Sequence, residues 1–128
     1  MAYQRYLIEF GQGSDLHGED QTKAAIRAVK DAMHHCCMAG VHDIFGLSAS
    51  RENIRIKAQI FVPEPASVDP KSIEALLNMY DTEIQILSGG ASFEGLYVPE
   101  LGHGHNITIA IAALTVYLNI FEGGNYHE

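Results

Sequence analysis

The stretch Ile54-Arg-Ile-Lys-Ala-Gln-Ile-Phe-Val62 alternates apolar side chains with polar or charged ones along most of its length. Successive side chains of a β-strand point to opposite faces of a sheet, so this period of two predicts a strand with one buried face. The buried set is Ile54, Ile56, Ala58, Ile60 and Val62, and the opposite set includes Arg55, Lys57 and Gln59. Pro63 follows and ends the strand, since proline has no N–H to donate to a ladder.

After this strand the pattern predicts one helix and two further strands. Asp69 and Pro70 supply an N-cap and a first-turn proline for a helix over residues 70–79. Residues 83–87 return to a strand that ends at a glycine pair. The β-branched content of residues 107–118 favours a strand, and their alanines leave a helix as the alternative.

Before the central stretch the pattern predicts a strand and a helix. Residues 4–10 alternate as a half-buried strand with Tyr6, Ile8 and Phe10 on one face, and the strand ends at Gly11.

The first helix is predicted from about Asp20 to Ala39, with Gly40 as its C-terminal stop. Its apolar stripe is Ala25, Ile26, Val29, Met33 and Cys36, and its basic stripe is Lys23, Arg27, Lys30 and His34. Histidines at positions 34 and 35 are expected on the surface near the helix end, where the helix dipole favours positive charge.

The element order strand, helix, strand, helix, strand, strand predicts an α+β fold, a two-layer sandwich with two helices on one face of a mostly antiparallel or mixed sheet. We expect a single domain over residues 1–121 and a polar C-terminal tail over 122–128. The second face of the sheet is predicted to be polar, exposed either to solvent or to a partner subunit, so we expect a homo-oligomer. That face is expected to carry Arg5, Glu9, Arg55, Lys57, Glu83 and Gln85.

The composition restricts the function classes. The 128 residues are 47% hydrophobic and 19% charged, with no apolar run near the about 18 positions that a membrane span needs. A net charge of −8 disfavours nucleic acid and anionic membranes as partners. Because the first residues run straight into a strand pattern, we expect a cytoplasmic protein.

The segment Gly11-Gln-Gly-Ser-Asp-Leu-His-Gly18 lies between the first strand and the first helix. Its glycine spacing matches neither a dinucleotide fingerprint nor a Walker loop. We expect a flexible turn that lets a ligand approach the backbone, with Asp15 and His17 pointing the same way as an acid–base pair. The alternative is structural, with Ser14 or Asp15 capping the helix.

This segment resembles the Gly-x-Gly-x-Asp-x-His-Gly signature of the Lin family of conserved hypothetical proteins, and the resemblance continues through residues 22–29. It implies a fold similar to chorismate-mutase-like and tubulin C-terminal-like domains, in which ligand sites often lie between subunits. It implies no reaction. The signature positions that it marks are Gly11, Gly13, Asp15, His17 and Gly18, with Lys23 and Arg27 alongside.

A second group of interest is His103-Gly-His105, because two imidazoles separated by one residue can share a metal ion. Two ligands are a weak metal signal, so we expect a solvated loop here, no metal site and no cofactor.

Together these features predict an enzyme of hydrolase, lyase or isomerase type that acts on a small polar or anionic molecule by acid–base chemistry. Asp15 and His17 are the predicted catalytic pair. The predicted ligand-binding residues are Gly11, Gly13, Ser14, Gly18, Lys23 and Arg27. A non-enzymatic oligomer that binds a small ligand or a metal is the alternative, and a purely structural subunit is a third.

Overall fold

The computed structural model describes residues 2–120 and contains the central strand with the predicted bounds, Ile54–Val62. In chain order the elements are β1 (Ala2–Asp15), α1 (Gln21–His35), β2 (Ile54–Val62), a 3₁₀ turn (Pro65–Ser67), α2 (Pro70–Glu74), β3 (Asp81–Ser88), β4 (Ala91–Glu94) and β5 (Asn106–Ile120). The tail predicted for residues 122–128 lies outside the described residues.

The strands form one mixed sheet in the order β1-β5-β2-β3, and β4 pairs with β5 beyond the end of β2. Only β2 and β3 run parallel among the described pairs; β5 is antiparallel to β1, β2 and β4. Both helices lie on one side, which confirms the predicted α+β class. The predicted order is wrong in one respect, because β4 adds a third consecutive strand near the C-terminus.

The core lies between the sheet and its helices. Every second side chain of β2 is buried, as its sequence predicts. The long central strand β5 does the same from Thr108 to Leu118, which decides the question of helix or strand in favour of a strand. Across from these strands, α1 contributes mostly small residues, Ala24, Ala25, Ala28, Val29 and Ala32, all fully buried.

Gly11 and Gly13 lie inside β1 rather than in a turn, so the predicted flexible loop starting at Gly11 is wrong. A Cβ atom on Gly11 would lie 2.3 Å from the Ala32 nitrogen, and one on Gly13 would lie 2.3 Å from the Ala28 nitrogen. These distances are too short for any side chain. The two glycines therefore let the backbone of α1 pack directly on the backbone of β1.

This contact decides which face of β1 is buried. Because Gly11 and Gly13 face α1, the alternate residues point away from it, and Ile8 and Phe10 are 57% and 71% exposed. The predicted faces of β1 are therefore wrong for Ile8, Phe10 and Glu9. A register shift between Arg5 and Leu7 changes the phase of the strand, which alternation alone does not reveal.

Helix α1 begins near its predicted start, with Asp20 rather than Ser14 or Asp15 as its N-cap, and it ends early. The Asp20 side chain accepts the Lys23 N–H at 3.0 Å, and the helix ends at His35 rather than near Ala39. Gly40 does have positive φ, but it starts a separate turn and accepts hydrogen bonds from residues 44 and 45. The predicted basic stripe of α1 is exposed. Helix α2 has its predicted cap and is shorter than predicted.

Within residues 2–120, neither helix has the length and apolarity needed to cross a bilayer.

We predict that Gly13→Ala lowers the free energy of unfolding by at least about 2 kcal/mol, because the added methyl group must displace a helix backbone rather than a side chain. Gln12→Ala is the matched control, since the Gln12 side chain is exposed and its loss should change stability by less than about 0.5 kcal/mol. Urea unfolding measures both. Equal stability of the two variants would show that α1 does not pack this closely.

Candidate functional site: a groove between β1 and α1

β1 is an edge strand of the described sheet, and α1 covers part of its free edge. The Gln12 N–H donates to Asp31 Oδ2 at 2.9 Å, and Arg27 Nη1 donates to the Ser14 carbonyl at 2.6 Å. Unpaired groups on an edge strand invite pairing with other chains, so these contacts protect the strand. They also fix two charged side chains beside it.

Two adjoining cavities lie along this edge and share Gln12 and Asp31; we call them together the β1–α1 groove. The first has a volume of about 560 Å³ and is lined by residues 9–12 of β1, Asp31 and His35 of α1, and Ile111 of β5. The second, of about 370 Å³, is lined by residues 12–14 of β1 and by Arg27, Lys30, Asp31 and His34 of α1. The groove is large enough for a small molecule.

Asp31 and His35 form a carboxylate–imidazole pair in the first cavity. Asp31 Oδ1 lies 3.2 Å from His35 Nε2, one helical turn away. The hydrogen bond from the Gln12 amide lowers the pKa of the Asp31 carboxyl, outweighing desolvation, and His35 lowers this pKa further. Asp31 is therefore ionised at neutral pH, and it orients one nitrogen of the imidazole ring.

The second cavity is lined by basic side chains. Arg27, Lys30 and His34 stand on successive turns of α1, and Asp31 is the acidic residue among the side chains that line this part of the groove. In a chain of net charge −8, a local concentration of basic groups attracts anions that the rest of the surface repels. The groove thus combines an anion-attracting half with a half that contains an acid–base pair.

Four of the predicted ligand-binding residues line the groove: Gly11, Gly13, Ser14 and Arg27. Lys23 does not, although it lies on the same helix. The prediction that the glycines expose a mobile backbone is wrong, because the strand holds them against α1. Their placement beside a cavity follows from the same close packing.

Asp15 lies at the end of β1, next to the groove, and organises the following turn. Its carboxylate accepts the Asp20 N–H at 2.8 Å and lies 3.7 Å from Arg27 Nη1, with only 11% of the side chain exposed. A Cβ atom on Gly18 would lie 2.9 Å from Asp15 Oδ2, so Gly18 leaves space for this carboxylate. Asp15 thereby connects the strand end to the start of α1.

His17 is not the partner of Asp15, because no hydrogen bond or ion pair joins the two among the described residues. The His17 carbonyl accepts the Gly104 N–H at 2.8 Å. Within residues 2–120, His17 Nδ1 is the buried side-chain nitrogen or oxygen that lacks a hydrogen-bond partner. A catalytic role for Asp15 and His17 therefore stays a prediction, without the mutual contact that motivated it.

The segment with His103 and His105 packs against the 15–19 loop. Besides the Gly104 contact, the His105 N–H donates to Glu19 Oε2 at 3.2 Å, and the His105 ring stacks on Tyr97 at 4.5 Å. Both imidazoles are on exposed residues. In the part of the chain that the structure describes, no group of three or more His, Cys, Asp or Glu residues is arranged to hold a metal ion.

Sequence reasoning missed the pairing of Asp31 with His35, although it placed His35 correctly on the surface at the helix end. The signal was present, because an acid four residues before a histidine on a predicted helix lies beside it on the helix surface. The neighbouring cavity had no such signal, since its lining depends on how closely α1 packs on the edge of β1.

This fold defines a class of small α+β proteins with known structural relatives. The chain is similar to the crystal structure of an FtsZ-like protein of unknown function from Nostoc punctiforme, with 37% sequence identity and a TM-score of 0.81. The match covers 94% of this chain and 99% of that one. The chain belongs to the Lin0512 family of conserved hypothetical proteins, whose model matches residues 5–116. No curated protein matches the chain.

We predict that Asp15→Ala lowers the free energy of unfolding by about 1 to 3 kcal/mol, because it leaves the partly buried Asp20 N–H without its acceptor. Asp43→Ala removes a carboxylate from an exposed turn and should change stability by less than about 0.5 kcal/mol. Chemical denaturation compares the two. An Asp15→Ala variant as stable as the Asp43→Ala control would contradict the structural role of Asp15.

Proposed function

We propose that this protein binds a small anionic molecule in the β1–α1 groove and acts on it by acid–base chemistry through Asp31 and His35. The observation that carries the proposal is the hydrogen-bonded Asp31–His35 pair that lines a cavity of about 560 Å³. The predicted class of reaction is kept, and the proposed catalytic pair moves from the 15–17 loop to the last turns of α1.

Binding in this proposal depends on the cations of the second cavity. Arg27 and Lys30 neutralise the negative charge of the ligand, and His34 adds a donor beside them. Arg27 is held in place by the Ser14 carbonyl at 2.6 Å and by Asp15 at 3.7 Å, so little conformational freedom is lost when a ligand binds. Asp15 is thus a positioning residue here.

Chemistry in this proposal depends on the first cavity. Asp31 accepts from His35 Nε2, which leaves the other ring nitrogen to take a proton from the ligand or to return one. The His35 side chain is 61% exposed, so a ligand can reach it from solvent. Phe10 and Ile111 supply an apolar wall that takes the uncharged part of the ligand.

The binding half of the proposal is tested by titrating ¹⁵N-labelled protein with inorganic phosphate and with succinate at constant ionic strength. We expect amide shifts at residues 12–14 and along one face of α1. Lys30→Gln should weaken the binding several-fold, whereas Lys23→Gln, the same charge change two turns earlier, should leave it within about twofold. Equal losses of affinity in both variants would indicate a nonspecific charge effect. A loss of affinity only in Lys23→Gln would indicate that the ligand binds at the 15–18 loop instead.

The catalytic half is tested by incubating the protein with a mixture of small polar metabolites and following their consumption by mass spectrometry. We expect consumption by the wild-type protein to fall at least about 100-fold in His35→Gln, because general acid–base catalysis contributes on this order. His42→Gln changes an exposed histidine outside the groove and should keep full activity. Ligand binding in the groove with no consumption by the wild-type protein would instead support a non-enzymatic binding protein.

A further inference from the structure

Within residues 2–120, neither helix covers the second face of the sheet, which is divided into two halves. One half is apolar and includes Phe10, Leu87, Phe93 and Ile111, which are 71%, 36%, 48% and 42% exposed. Phe10 and Ile111 also line the first cavity of the β1–α1 groove, so this half borders the groove. The strand register places the apolar residues together, because Phe61 is opposite Leu87, and Ile111 is opposite both Phe61 and Gln12. Monomeric proteins rarely leave a continuous apolar surface of this kind open to water.

The other half carries charges of both signs in a defined arrangement. Arg5 lies on the edge strand β1, and Asp81 and Glu83 lie on the opposite edge strand β3. Between them, Arg55 of β2 forms an ion pair with Asp81 at 2.8 Å and stacks over the Tyr3 ring. Arg5 and Glu83 form no ion pair with any of the described residues, so each can form one with a residue of another chain.

We propose that a second copy of this chain packs its own open sheet face against this one across a two-fold axis that runs along the strands. Rotation by 180° about such an axis leaves the position of each residue along the strand direction unchanged and exchanges the two edges of the sheet. The apolar halves then meet each other, and β1 of one copy lies over β3 of the other. Arg5 thereby faces Asp81 and Glu83 of the partner, which makes the arrangement self-complementary.

The overall charge balance favours a second copy at this face. The chain carries a net charge of −8, so two copies repel each other over most of their surfaces. The open face itself has three basic residues, Arg5, Arg55 and Lys57, against the acids Asp81 and Glu83. Two copies therefore meet here with little repulsion.

The available area matches what a stable dimer requires. A rise of about 3.4 Å per residue and a strand spacing of about 4.8 Å give about 16 Å² of sheet plane per residue, so the five strands span roughly 800 Å². Standard protein interfaces bury about 800 Å² per partner. Sheets that pack face to face keep their strands nearly aligned, as this axis requires.

Light scattering on the full chain tests the proposal. We expect a dimer of twice the 14.0 kDa chain mass at micromolar concentration. Leu87→Lys should weaken dimerisation at least about tenfold, because it puts a charge into the apolar half of the interface. Ile44→Lys is the matched control, since Ile44 is also an exposed aliphatic residue but lies in the 40–46 turn, and it should leave the dimer intact. Circular dichroism confirms that both variants are folded.

A charge exchange separates self-association from any other cause. Arg5→Glu should weaken the dimer, because it places a carboxylate opposite Asp81 and Glu83 of the partner copy. Adding Glu83→Lys in the same chain should restore the dimer, because the introduced lysine then faces the introduced glutamate. A monomeric wild-type protein at 100 μM, equal effects of Leu87→Lys and Ile44→Lys, or a double variant no better than Arg5→Glu alone would each overturn the proposal. Leu87 does not line the groove, so phosphate binding by Leu87→Lys reports on the proposed function independently.

Discussion

The close contact between β1 and α1 is the constraint on which the rest of the structure depends. Gly11 and Gly13 face Ala28 and Ala32, and in each case a single added carbon would lie 2.3 Å from helix backbone. Such packing fixes the distance and rotation of α1 relative to the sheet much more tightly than larger, adaptable side chains do. Which face of β1 is buried, the shape of the groove and the position of the 15–18 loop all follow from this contact.

One consequence is that the same helix side chains protect the sheet edge and form the groove. Because α1 lies so close, Asp31 reaches the Gln12 amide and Arg27 reaches the Ser14 carbonyl. These contacts cover an edge strand, and they also hold an anion and a cation beside a cavity. The proposed site therefore needs no separate scaffold, and its first requirement is the helix–strand contact.

A second consequence concerns the other side of the sheet. When the glycines face the helix, period-two alternation forces Ile8 and Phe10 outward, where Phe10 lines the groove and also contributes to the open apolar half of the sheet. The loop that carries Asp15 and His17 lies at the end of the same strand, tied to the helix start by Asp15 and to residue 104 by the His17 carbonyl. A single strand thus shapes three surfaces.

The sequence by itself determined the bounds of β2, the α+β class, the helix cap at Asp69, the exposed basic stripe of α1 and the family. These depend on periodicity and on contacts within a few residues, which the order of amino acids specifies directly. Only the tertiary structure decided the role of the glycines and the pairing of Asp31 with a backbone amide 19 residues away. The physical reason is that glycine permits both a free turn and a close approach, and which of the two occurs depends on what lies opposite it in space.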